Sequence, residues 1–176
     1  MNISSITGDA DLYGDVSSKI GFQVGGFAEI KISDKFAIQP ELLYSAQGAK
    51  SKNSELGGTS IYKSTIKLAY LNIPLMAKYY VDEGFSLEAG PQLGFLLSAE
   101  DEEIEIFEGE STTTTTDIKD ASNSTDFAFN VGAGYDVAEN INLGLRYSIG
   151  LSNIVKDSGP ISVSNSNFAF AVWYKF

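Results

Sequence analysis

The chain contains no cysteine and no histidine. Without cysteine there are no disulfides and no thiolate chemistry, and the redox compartment is not legible. Without histidine the commonest general base, the Ser-His-Asp triad and nearly every zinc site are excluded together. Any catalysis would rest on carboxylates, lysine, tyrosine or serine. Positive charge is also scarce, with Lys+Arg 12 against Asp+Glu 23, a net charge of -11 and a pI near 4.3. That balance excludes nucleic acid as a partner, because phosphate binding needs a basic surface. No run approaches the roughly 18 apolar residues of a membrane helix. This excludes helical membrane proteins only, since membrane barrels alternate apolar and polar residues and average to an ordinary hydropathy. The mean hydropathy here is -0.03. Met1, Asn2, Ile3 and Ser4 also lack the basic and apolar regions of a signal peptide.

What the chain does have is alternation. Its 176 residues suit one domain, 1–176. Seven stretches alternate with period two: 19–31, 36–47, 65–80, 85–98, 126–137, 141–151 and 166–176. In 19–31, Ile20, Phe22, Val24, Ala28 and Ile30 share one face, and Gln23, Gly25, Phe27 and Glu29 the other. In the terminal stretch Phe168, Phe170, Val172, Tyr174 and Phe176 share a face. No stretch shows the helical period of 3.6, so the chain reads as all-β. Connectors at 33–35, 82–84 and 138–140 are short and polar, whereas 7–18, 48–64, 99–125 and 152–165 are long. Short and long connectors in turn are what an up-and-down meander produces, with tight turns at one end and loops at the other.

The two faces differ in character. One carries aliphatic and aromatic residues on every stretch. The other is rich in Gly, Ala, Ser, Asn, Gln and isolated charges, and Gly90, Gly94, Gly132, Gly134 and Gly144 fall on it. Small and polar residues suit the narrow lumen of about eight strands, so the apolar face reads as the lipid side. Phe22, Tyr44, Phe95, Phe127, Tyr147 and Phe168 fall at the loop ends of their stretches. Phe36, Tyr79, Phe85, Tyr135 and Phe176 fall near the turn ends. Two aromatic rings are expected at the two interfaces of a transmembrane barrel. The fold expected is therefore an eight-stranded antiparallel up-and-down transmembrane β-barrel. A soluble β-barrel with its apolar face inward, binding a lipophilic ligand, is the contrasting expectation.

Seven strands do not close such a barrel, which takes an even number. Only residues 1–6 are available as a partial eighth, and a tilted membrane strand needs about 9–11 residues. The expectation is that the first strand is cut short here, its natural beginning and a signal peptide lying upstream of Met1.

Lumen-facing charges are Glu29, Glu41, Lys78, Glu88, Asp126, Asp136, Arg146 and Lys175. Counted from the turns, Glu41, Lys78, Glu88 and Arg146 belong to the turn-proximal half, where an ion network would plug a narrow barrel. The functional alternative is a gated pore or a polar-ligand site. Acid–base work by the Glu41/Glu88 pair is the remotest reading. The acidic connector holds Glu100, Asp101, Glu102, Glu103 and Glu105, a weak candidate cation site without the spaced ligands of a calcium loop. It is expected to be a solvated loop with Thr112–Thr116 as a low-complexity tip. Ile104, Ile106 and Phe107 alternate with acids there, so strand structure is also expected to extend beyond the membrane.

The segments "GFQVGGFAEIKISDKFAIQPELLYSAQGAK", "YLNIPLMAKYY", "LEAGPQLGFLLSAE" and "NVGAGYDVAENINLGLRYSIGLSNI", with the terminal Phe176, carry a resemblance. Over 19–176 the chain resembles the PorT-like "porin family" of small outer-membrane β-barrels of the Bacteroidota. The resemblance implies an eight-stranded barrel among outer-membrane lipid. It implies that the terminal strand, with Phe170, Tyr174 and Phe176, is read by the barrel-assembly machinery. It assigns no activity and no cofactor. The expected function is non-enzymatic, with a structural, adhesive or envelope-related role and a packed lumen. A narrow channel for small solutes is the alternative.

Overall fold

The computed structural model describes residues 1–8, 15–54, 60–107, 110–156 and 163–175. Its strands are β1 (Asn2–Gly8), β2 (Asp15–Gly21), β3 (Gln23–Phe27), β4 (Ile30–Ser33) and β5 (Phe36–Ser54). β6 (Ser60–Asp82), β7 (Phe85–Phe107), β8 (Glu110–Asp117), β9 (Thr125–Ala138), β10 (Ile141–Gly150) and β11 (Val163–Tyr174) follow. All pairings between them are antiparallel. β2, β3 and β4 are successive pieces of one stave, each paired with β5. From there each stave pairs with the next through β6, β7, β9, β10 and β11. β1 lies between the ends of this chain of pairings. Asn2 faces Ala169 on one side and Gly21 on the other, and the sheet closes into a ring of eight staves.

The short connectors are two-residue turns at 34–35, 83–84 and 139–140. Gly84 has φ 84°, a left-handed conformation that a side chain disfavours and glycine adopts freely.

Alternation decides which residues face out. Val24, Leu42, Leu87, Phe127, Leu145 and Val172 lie on the outside, while Gln39, Glu41, Asn72, Glu88, Asn130 and Arg146 are buried in the lumen. The described members of both aromatic sets are exposed on that outer face. Phe22 and Tyr44 pack with tilted rings, centroids 5.9 Å apart, near the loop end, and Phe36 lies opposite Tyr79 at the turn end. The apolar-inward soluble barrel is therefore overturned by the exposure of the apolar set. In the terminal strand Phe168, Phe170, Val172 and Tyr174 point outward. Phe176 lies outside the described residues.

β7 runs on to Phe107, as expected from the alternation of Ile104, Ile106 and Phe107 with acids, but two expectations about the long connectors need correction. The stretch 48–64 is not a loop throughout, since β5 runs to Ser54 and β6 starts at Ser60. The threonine run is also a strand rather than a tip, since Thr112–Thr116 pair with Glu105–Asp101 along β7. β-branched threonine fits a pleated surface, and a strand with a long exposed neighbour gains a full ladder of hydrogen bonds by lying along it. From Tyr44 to Ser54 is about 33 Å along the strand, so β5–β8 form a sheet projecting from the loop end.

Candidate functional site in the barrel lumen

Arg146 sits at the centre of the lumen's turn-proximal half. Its Nη1 and Nη2 donate to Glu41 Oε2 and Oε1, both at 2.8 Å, in a bidentate fork. Its Nε donates to Glu88 Oε1 at 2.8 Å, and the guanidinium lies 5.4 Å from the Trp173 ring. Register explains the contact with Glu88. Both Glu88 and Arg146 pair with Gly132, so a residue without a side chain separates them on one rung. A Cβ on Gly132 would lie 2.9 Å from Glu88 Oε1.

The network continues from Glu41. Gln39 Nε2 donates to Glu41 Oε1 at 2.6 Å, and Lys78 Nζ donates to Gln39 Oε1 at 3.2 Å. Lys78 reaches Glu29 at 3.3 Å, Lys175 reaches Glu29 at 3.5 Å and Asp136 at 3.3 Å, and Asn142 Nδ2 donates to Asp136 at 2.8 Å. Four carboxylates (Glu29, Glu41, Glu88, Asp136) thus meet three cations (Lys78, Arg146, Lys175), a residual charge of -1 across a connected cluster. Asp126 stands apart, accepting from Ser152 Oγ at 2.5 Å. Both oxygens of Glu41 are occupied by Arg146, and one oxygen of Glu88 is. Neither carboxylate is poised to take a proton from a substrate.

Small residues make the room that this network needs. Trp173 lies over Gly144, where a Cβ would come within 2.4 Å of Trp173 Cζ3. Gly144→Ala is expected to push the indole off the guanidinium and destabilise the barrel by about 1–3 kcal/mol through overpacking. A changed Trp173 emission spectrum together with a lower denaturation midpoint checks this.

Toward the loop end the lumen holds amides and hydroxyls. Asn130 Nδ2 donates to Gln92 Oε1 at 3.2 Å, Asn2 Nδ2 and Gln47 Nε2 both donate to Ser45 Oγ, and Asn165 Nδ2 donates to Gln47 Oε1. Above them the interior turns apolar. Leu68, Tyr70, Leu96, Ala99, Ile154 and Val163 form a buried cluster, with Ile6, Ile66, Ile118 and Val155 packed against it. Two loop segments complete this cap. Asn123 N donates to Ile154 O at 2.9 Å and Lys156 N donates to Ala121 O at 3.0 Å. A cavity of about 430 Å³ lies among Ile6, Ile66, Ile118, Ile154 and Val163. Sequence reasoning missed the cap. The available signal was a pair of adjacent apolar residues, such as Leu96-Leu97, which places one on each face.

The weak cation candidate does not assemble. Glu100, Asp101, Glu102, Glu103 and Glu105 lie along the extended β7, whose successive side chains point to opposite faces. Glu102 pairs with Lys67 at 2.7 Å, Asp101 accepts from Ser64 Oγ at 2.7 Å and Glu105 accepts from Tyr62 Oη at 2.9 Å. Among the described residues no group of three acids converges on a point where a metal ion would sit.

A profile of the outer membrane protein beta-barrel domain family matches residues 1–156. No curated protein matches the chain. Among solved structures, Neisserial surface protein A is similar in fold, with a TM-score of 0.52 and 14% identity over 99% of this chain and 92% of that one. Ail, the attachment invasion locus protein of Yersinia pestis, in complex with the heparin analogue sucrose octasulfate, gives a TM-score of 0.50 and 13% identity. That likeness covers 99% of this chain and 93% of Ail.

Proposed function

We propose, for a chain that belongs to the outer membrane protein beta-barrel domain family and resides in the bacterial outer membrane, a non-enzymatic and non-conducting envelope role. The observation that carries this reading is the lumen, blocked at two levels by chemically different plugs. Near the turns the Arg146 network fills the bore with paired charge. Near the loops the Leu68, Tyr70 and Leu96 cluster fills it with hydrocarbon. A conducting path would have to break buried ion pairs and then cross an apolar constriction. The carboxylates of the charged plug are all engaged in ion pairs.

The working surface is then the projecting sheet β5–β8. It carries cations on β5 and β6, with Lys52 directly opposite Lys63, beside an acidic run along β7, and Lys67 pairs with Glu102 across that seam. A rigid sheet held clear of the lipid, rather than a flexible loop, supports an adhesive or structural contact. Ail, similar in fold only, is named for attachment and invasion. Within the family, the quoted segments support a PorT-like assignment. Recognition of the Phe170 and Tyr174 strand by the assembly machinery, and contact of the outer face with outer-membrane lipid, belong to the same reading.

Planar-bilayer recording tests it. The reconstituted barrel is expected to give no reproducible conductance steps. Steps of constant size that disappear in Arg146→Ala would overturn this reading in favour of a narrow solute channel.

A further inference from the structure

The mouth of the barrel holds two adjoining chambers of opposite character. The cavity of about 430 Å³ lies loopward of the Leu68, Tyr70 and Leu96 cluster, for its wall includes Ile66, two positions beyond Leu68 on the same face of β6. The rest of the wall comes from around the ring. Ile6 is on β1 and Val163 on β11, while Ile118 and Ile154 come from the two connectors that meet at the Ser122–Val155 bridge. A close-packed interior leaves few voids larger than a water molecule, and aliphatic walls give water no hydrogen-bond partners. A space of this size at a barrel mouth, within the roughly 300–1,000 Å³ of small-molecule pockets, suits an apolar guest.

The second chamber, about 310 Å³, shares Ser51 and Ser64 with the first and lies farther out along the projecting sheet. Its wall is polar and negative. Asp101, Glu103 and Glu105 alternate onto one face of β7, the face that Ser64 and Tyr62 share on β6. Asp101 borders the apolar chamber, and Glu103 and Glu105 border the polar one. Ser64 Oγ donates to Asp101 at 2.7 Å, but a hydroxyl does not neutralise a carboxylate. Among the described residues the one ion pair of this acidic run joins Glu102 to Lys67, on the opposite face. Lys50 and Lys63 also border the chambers. Each adjoins an inward residue, buried Ala49 or Asp101-bonded Ser64, so alternation turns both lysine side chains to the other face.

We propose that the two chambers together bind one small amphipathic cation, its apolar body among Ile6, Ile66, Ile118 and Ile154 and its ammonium head at Asp101. One carboxylate suffices for such a head through a charge-assisted hydrogen bond, whereas a metal ion takes several oxygens. Glu103 and Glu105 make the approach negative and raise the local concentration of cations. A fatty acid or an anionic lipid brings its own negative charge against the same acids. A neutral alcohol fills the apolar chamber but forgoes the ion pair. Occupancy leaves the bore closed below the site, so ligand binding and bilayer recording succeed or fail independently.

The test is isothermal titration of the full chain in phosphatidylcholine nanodiscs, with empty nanodiscs as the blank and hexylammonium, hexanol and hexanoate as probes. Hexylammonium is expected to bind one to one and about tenfold more tightly than hexanol, with hexanoate weaker than both. Asp101→Asn keeps an acceptor for Ser64 and removes the charge. It should bring hexylammonium down to the level of hexanol and leave hexanol unchanged. Ile118→Trp narrows the apolar chamber and should weaken hexylammonium and hexanol alike. Gel mobility first establishes that both variants are folded. Hexylammonium binding no tighter than hexanol, or unmoved by Asp101→Asn, overturns the assignment of the head. Unchanged binding in folded Ile118→Trp overturns the assignment of the body. Heat equal to that of the blank means partition into the bilayer alone and overturns the whole proposal.

Discussion

Replacing Arg146 with alanine is expected to destabilise the folded barrel by about 3–5 kcal/mol, the usual cost of removing one partner from a buried ion pair. The Arg146 side chain is 4% exposed, and those of Glu41 and Glu88 are 0% and 3% exposed. The variant strands two carboxylates in the bore. Lys78 touches Glu41 only through Gln39 and is already engaged with Glu29, so no cation is at hand to replace the guanidinium. The remedy is to remove the charge altogether. A triple variant, Glu41→Gln, Glu88→Gln and Arg146→Met, should recover most of the loss, because replacing a whole buried charge cluster by neutral groups is often nearly neutral. Urea unfolding of the detergent-folded proteins, followed by the mobility difference between folded and unfolded barrels on gels, reads both values. An Arg146→Ala protein within about 1 kcal/mol of the parent would mean that the bore is wet and the charges are screened by water. The plug would then not be one.

Leu145→Arg is expected to cost about 2–4 kcal/mol and to impair insertion into liposomes, as charge does on the lipid face near the bilayer midplane. Leu145 is 49% exposed on the outer face. On β10 it lies between Leu143, which faces Tyr135 of the turn-end ring, and Tyr147, which faces Phe168 of the loop-end ring. In a protein surrounded by water, an exposed leucine changed to arginine alters stability by less than about 0.5 kcal/mol. The same substitution therefore separates the two solvents. Thr114→Arg on β8 serves as the control, since it lies on the projecting sheet and should leave insertion unchanged. Loss of insertion in both variants would point to general misfolding rather than to lipid contact.

The residues of 166–176 show how far local pattern reaches. Successive Cβ atoms of a strand point to opposite faces, so Phe168, Phe170, Val172 and Tyr174 on one side and Trp173 and Lys175 on the other is a property of the chain itself. The same rule separated the lumen charges from the apolar set, and the tight turns at 34–35, 83–84 and 139–140 ordered the staves. Strand ends were less legible. The threonine run looks like a loop tip by composition and became β8 only because β7 offers a partner, a long-range pairing that no local window contains. The apolar cap was hidden for a related reason, since Ile154 joins it beside the bridge that pairs Val155 with Ser122, a contact between two connectors far apart in sequence.

Alternation along each strand thus determined, from the sequence alone, an all-β up-and-down barrel with its apolar face outward and its charges inside. Which of those charges meet was decided only by tertiary structure. Arg146 reaches Glu41 105 positions away in sequence and Glu88 58 away because stagger brings three staves to one level and Gly132 leaves the rung between two of them open. The physical reason is that sidedness is a period of the backbone, whereas register is a sum of hydrogen bonds and side-chain fits around a closed ring.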